Sequence, residues 1–179
     1  LYFDKWIGEK IYRKDSFHLL AVDVCDMKQI NRIYGTSIGD QLLIKVAKGL
    51  QEITGSVQVF RVTGNSFLAV LDSLSDYEKV RDELKEFLKK PFLIEKETVA
   101  LHAVICGIIN AEKLEKEDTL FSYIEYMASL YQNTDETAVI QSDSKRLEGF
   151  RYEQEVEYFL RKAVEEDLFE VYYQPVYSI

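Results

Sequence analysis

Apolar residues recur along this chain at two spacings, and the spacing predicts the elements. Phe3, Trp6, Ile7 and Ile11 fall at helical intervals and predict a helix over residues 1–14. Phe17–Val24 is a short continuous apolar run, the pattern of a strand covered on both faces. A helix is expected from Met27 to Tyr34, broken at Gly35. A second, from Ile38 to Leu50, carries Leu42, Leu43, Val46, Ala47 and Leu50 on one stripe. Two apolar runs then flank Thr63-Gly64-Asn65, a Gly-Asn pair suited to positive φ, which predicts a β-hairpin over Val57–Leu71. Asp76 is expected to cap a helix that runs to Lys90, where Pro91 stops it. Strands near Phe92–Ile94 and Val99–Ile109, a helix over Asp118–Asn133 and a strand near Ala138–Ile140 follow.

This order, with a hairpin in the middle, predicts an α+β fold: a largely antiparallel sheet with helices packed on it. After Ser142 the chain becomes strongly charged. Residues 146–167 predict a helix with a seam at Val156, Phe159, Leu160, Ala163 and Val164, and Phe169–Val176 reads as the start of a strand. A boundary near Ser142–Gly149 separates a domain over residues 1–142 from the remainder, 143–179. Both ends of the sequence read as cut, so membrane anchors or sensors are expected, if anywhere, outside it.

Charge narrows the partners. The net charge is −9 and no basic cluster occurs, which disfavours general nucleic-acid binding, because that requires phosphate neutralisation. A small nucleotide held locally remains compatible with this balance. Cys25 and Cys106 lie far apart in apolar runs and read as reduced core cysteines, which fits a cytoplasmic compartment. No apolar run reaches transmembrane length.

The segment with chemical content is Val22–Leu43. Asp23 ends a buried strand, Lys28 starts the next helix, Asn31 follows on that helix, and Asp40 follows Gly39 at the expected opening of the second helix. Strand ends and helix N-termini are common places for phosphates and metals. An Asn amide and an Asp carboxylate together match the edge of a guanine. Each residue also has a plainer role: Asp23 as an acid bonded to backbone amides, Lys28 as a solvated lysine, Asn31 and Asp40 as caps.

These residues resemble the GGDEF family of diguanylate cyclases. Asp23, Lys28, Ile30, Asn31, Tyr34, Gly35, Gly39, Asp40, Leu42 and Leu43 fall in register with that family's (I/V)-D-(I/L)-D-x-F-K-x-I-N-D-x-(Y/F)-G-H-x-x-G-D-x-L-L pattern. The hairpin Arg61-Val62-Thr63-Gly64-Asn65-Ser66-Phe67 stands where the family has R-x-G-G-(D/E)-E-F. The resemblance extends over about residues 1–140. It implies a palm-like, ferredoxin-like central sheet flanked by helices. It further implies GTP as ligand, Mg²⁺ as cofactor and a homodimer in which two GTP molecules meet. It places guanine readout at Asn31 and Asp40, phosphate contact at Lys28, and a metal ligand at Asp23.

The departures bear on activity. Asn65 stands where the family has its second metal-binding acid, and Ser66 where it has the following Glu. A neutral amide is a poor ligand for a hard cation and no general base. Thr63 replaces a Gly, Cys25 the second Asp of D-x-D, Arg32 an Asp and Thr36 a His. Thr54–Val57 reads TGSV where the family has its R-x-x-D inhibition motif, and Thr134 stands at the family's phosphate-binding Lys. The resemblance therefore implies a degenerate domain with an incomplete metal site and no catalytic acids. In the tail, Tyr173-Gln174-Pro175-Val176 is similar to the first strand of EAL domains, cyclic di-GMP phosphodiesterases that often follow GGDEF domains; an amphipathic helix packed on the preceding domain is the alternative. Three functional readings follow: a non-catalytic regulatory domain binding GTP and acting on an attached EAL domain, a cyclase still making cyclic di-GMP, and a structural or dimerising module.

Overall fold

A computed structural model describes residues 2–13, 15–55, 58–114, 117–131, 137–170 and 172–174. The chain divides into two compact units, residues 1–142 and 143–179. In the first, helix α1 (Tyr2–Arg13) leads into β1 (His18–Val24), followed by α2 (Met27–Tyr34) and α3 (Thr36–Ile53). Strands β2 (Val59–Arg61) and β3 (Ser66–Leu71) form the hairpin, and α4 spans Leu74–Leu88. Then come β4 (Phe92–Ile94), β5 (Glu97–Val99), β6 (Ala103–Ile108), a 3₁₀ turn (Ala111–Leu114), α5 (Glu117–Ser129) and β7 (Ala138–Gln141).

Five strands make one sheet in the order β2-β3-β1-β6-β7, antiparallel except for the β6–β7 pair. This is the mostly antiparallel α+β architecture expected from the sequence. Strand β1 sits at the centre, and its continuous apolar run is explained by cover on both faces. Leu20, Val22 and Val24 join Leu42, Val46 and Leu50 of α3 and Tyr77, Leu84 and Leu88 of α4 in one core. The alternate residues Leu19 and Ala21 point to the other face, where Leu120, Tyr123, Ile124 and Met127 of α5 are also buried.

Local chemistry corrects several sequence expectations. Helix α3 begins at Thr36, directly after Gly35 at φ 89°, so Asp40 lies beyond its first turn and not at its opening. The N-cap of α4 is Ser73, whose hydroxyl accepts from the Asp76 amide; Asp76 belongs to the first turn, where an acid favours the helix dipole. Of the expected strand Val99–Ile109, Ala103–Ile108 forms β6 in the main sheet, while Val99 ends β5, which folds back on β4 in a separate two-stranded sheet. Neither Gly64 nor Asn65 takes positive φ; the hairpin is closed through Val62–Asn65 instead, with the Val62 amide donating to the Ser66 carbonyl.

In the second unit, α6 (Ser144–Glu165) is capped by Asp143, whose side chain accepts from the Arg146 amide at 2.8 Å. Phe159, Leu160 and Val164 of the expected seam are exposed. Of Phe169–Val176, the described residues 169, 170 and 172–174 form no strand. Extended backbone becomes a strand only with a partner ladder, and the described residues offer none here. Pro175 and Val176 lie outside the described residues, as does Thr134. No described helix is long and apolar enough to cross a membrane.

Candidate functional site

Strand β1, at the centre of the sheet, carries Asp23 next to its C-terminal end, and the β1–α2 turn sets what stands beside it. Asp26 takes left-handed backbone (φ 56°, ψ 24°) ahead of α2, and its carbonyl accepts from the amides of Gln29 and Ile30. This tight turn places Lys28 in the first turn of α2 at the mouth of a cleft of about 870 Å³. Asp23, Lys28, Asn31, Asp40 and Asn65 all line that cleft, with Cys25, Arg32, Arg61 and Gly64. The structure thus brings every site residue picked from the sequence, except Ser66, to one concavity. Ser66 lines a smaller hollow of about 290 Å³ facing α5, which Asp23 and Asn65 also border.

Asn31 and Asp40 face the cleft from adjacent helices, α2 and α3. Gly39 brings the helices close: a Cβ built there would lie 1.9 Å from Asn31 Oδ1. That oxygen is buried and has no hydrogen-bond partner among the described residues. An unpaired buried acceptor carries a desolvation cost of about 1–3 kcal/mol. Asp40 and Lys28 are exposed and meet solvent in the cleft. Gly39 went unassigned in the sequence beyond its register, and only the helix–helix approach gives it a role. Arg61 was legible as a motif residue alone; its guanidinium bonds the Gly64 carbonyl and lies over the Phe67 ring, 6.0 Å from the centroid.

The fit of a divalent ion can be tested on Asp23. Asn65 Nδ2 donates to Asp23 Oδ1 at 3.1 Å and to the Val24 carbonyl at 2.8 Å. Ser66 Oγ donates to the same Asp23 Oδ1 at 2.6 Å. The Val24 amide in turn donates to the Asn65 carbonyl at 3.1 Å. Two hard oxygens that would suit Mg²⁺ are thus engaged by neutral donors. Cys25 supplies no compensating charge: burial first, then the carboxylates of Asp23 and Asp26, push its thiol up to about 11. No cluster of three or more His, Cys, Asp or Glu suited to a metal occurs among the described residues. This donor set does not fit a divalent ion.

Comparison with known proteins adds the family context. Residues 2–134 match the family model described as diguanylate cyclase, GGDEF domain. The chain is 36% identical over 64 residues to the diguanylate cyclase DosC of Escherichia coli, covering 35% of this chain and 14% of that protein. It is 27% identical over 183 residues to the signaling protein YkoW of Bacillus subtilis, covering 93% of this chain and 22% of that protein. The crystal structure of the GGDEF domain of PA1120 from Pseudomonas aeruginosa shares the fold at a TM-score of 0.66 and 18% identity, over 79% of this chain and 94% of that one. Matches to curated relatives span only 14% to 22% of those proteins' lengths.

Proposed function

The chain belongs to the diguanylate cyclase GGDEF domain family, and from that premise we propose that it is a non-catalytic, regulatory member that binds a guanine nucleotide and modulates an attached EAL phosphodiesterase in cyclic di-GMP signalling. The observation that carries the nucleotide reading is the meeting of Asn31 and Asp40, from two helices, in one cleft large enough for a nucleotide, beside Lys28. The carboxylate of Asp40 accepts from the guanine N1–H and N2–H₂ groups, and the Asn31 amide meets the ring's remaining polar atoms. Lys28, with Arg32 of the same helix and Arg61 of β2, which line the same cleft, offsets phosphate charge.

Catalysis is set aside on chemical grounds. Attack of a 3′-hydroxyl on an α-phosphate needs the developing charge neutralised and the hydroxyl proton accepted. Asn65 and Ser66 do neither, and they donate hydrogen bonds to the one carboxylate left. In the proposed regulation, α6, which follows the domain in the chain, carries the effect of nucleotide binding towards the EAL side.

Calorimetric titration of the protein with GTP and with ATP tests the nucleotide reading. Weak GTP binding with guanine preferred over adenine is expected, and Asp40→Ala should abolish the preference. Equal affinities for the two nucleotides, or no heat for either at millimolar ligand, would overturn it.

A further inference from the structure

We propose that the side-chain amide of Asn65 takes the place of a divalent ion, so that this domain holds its hairpin against the central strand without any metal. The inference concerns the protein's own architecture and stands whether or not a nucleotide binds.

The argument starts from two oxygens. Asp23 Oδ1 and the Val24 carbonyl converge on a single atom, Asn65 Nδ2, at 3.1 and 2.8 Å. A carboxylate oxygen and a carbonyl oxygen meeting at one point are what a hard cation selects. Here an NH₂ group sits at that point and directs one hydrogen to each oxygen. The orientation is dictated by chemistry: with the amide rotated, Oδ1 would face two acceptors with no proton between them. For Asn65 to ligate an ion through Oδ1, it would have to rotate and lose both bonds. The ion would then find a single negative charge, that of Asp23.

Neighbouring bonds hold the amide in place. Ser66 Oγ donates to the same Asp23 oxygen at 2.6 Å, and Asp23 and Ser66 are direct partners across β1 and β3. The Val24 amide donates to the Asn65 backbone carbonyl at 3.1 Å, so residues 24 and 65 are tied in both directions. These bonds fix both the side chain and the backbone of Asn65 against the end of β1. The changes at positions 65 and 66 therefore do more than remove charge. Together they build a metal-free clasp in which neutral donors meet the oxygens an ion would otherwise hold.

Thermal unfolding of the whole chain in EDTA and across a Mg²⁺ series, with Mn²⁺ binding followed by electron paramagnetic resonance, tests this. The wild type should show no saturable Mg²⁺ response in Tm and no bound Mn²⁺. Asn65→Asp should melt lower than wild type in EDTA, because two carboxylates then share the point. It should recover as Mg²⁺ rises, by roughly 3–6 °C once Mg²⁺ stands tenfold above its Kd. Should that variant not fold, Asn65→Ala vacates the point without adding charge and should bind Mn²⁺ more tightly than wild type. A saturable Mg²⁺ or Mn²⁺ response in the wild type that Asp23→Asn removes would overturn the proposal. So would an Asn65→Asp or Asn65→Ala protein that folds and gains no metal response.

Discussion

Gly39→Ala separates binding from stability in a way that only the helix–helix contact predicts. The new methyl would meet Asn31 Oδ1 at 1.9 Å. With van der Waals contacts near 3.5 Å, the amide must retreat by more than about 1 Å. The atom in the way is the end of a side chain, not backbone, so a rotation of Asn31 relieves the clash at a cost of about 0.5–1.5 kcal/mol. Against this, alanine in place of a helical glycine gains up to about 1 kcal/mol. The two nearly cancel, and Tm should stay within about 4 °C of wild type. Binding should not be spared. Losing one side of the guanine readout removes a hydrogen bond worth about 0.5–1.5 kcal/mol, so the preference for GTP over ATP should fall by up to about tenfold. A double-mutant cycle supplies the control. In an Asn31→Ala background the clash is absent, and Gly39→Ala should stabilise by up to about 1 kcal/mol, with a coupling of at least about 0.5 kcal/mol between the sites. Thermal melts of the four proteins and paired GTP and ATP titrations measure both quantities. Additive stabilities, or a guanine preference untouched by Gly39→Ala, would refute the assignment of Gly39 as the cradle of Asn31.

Two further outcomes are expected. Incubation with GTP and Mg²⁺ should yield no cyclic di-GMP by chromatography, and Asn65→Asp with Ser66→Glu should restore little, since Thr134 stands where the family has its phosphate-binding Lys; product that disappears in Asp23→Ala would show the domain to be active. Stability should fall at alkaline pH: burial raises the Cys106 thiol from an ordinary 9.0 to about 12 and the Tyr77 hydroxyl from 10.0 to about 12. Both groups stay protonated in the fold and ionise earlier in the unfolded chain, so their contribution is whole below about pH 9 and is lost as pH climbs towards 12. Denaturant titrations along that range check this; a stability level up to pH 11, or a slope that Cys106→Ala and Tyr77→Phe leave unchanged, would contradict it.

By itself the sequence determined the elements whose pattern is local. The run at Phe17–Val24, the break at Gly35 and the helical stripe of Leu42, Val46 and Leu50 each register in a few consecutive residues, since side-chain periodicity follows directly from backbone geometry. The in-register residues from Asp23 to Asp40 also made the family resemblance legible, and with it the fold. Tertiary structure decided what depends on who the neighbours are. That Val99 closes β5 and does not open β6 depends on β5 pairing with β4. That Phe169, Glu170 and Tyr172–Gln174 form no strand likewise turns on the want of a partner ladder among the described residues, which a β-rich stretch of sequence does not reveal. Gly35 both ends one helix and permits the next to begin at once, so α3 starts at Thr36 and Asp40 sits two residues deeper in it than the apolar pattern from Ile38 suggests. At the site, the letters at positions 65 and 66 announced only missing acids. That Asn65 and Ser66 turn their donors onto Asp23 follows from β1 and β3 pairing residue 23 with residue 66, a contact across 43 positions that no local pattern encodes.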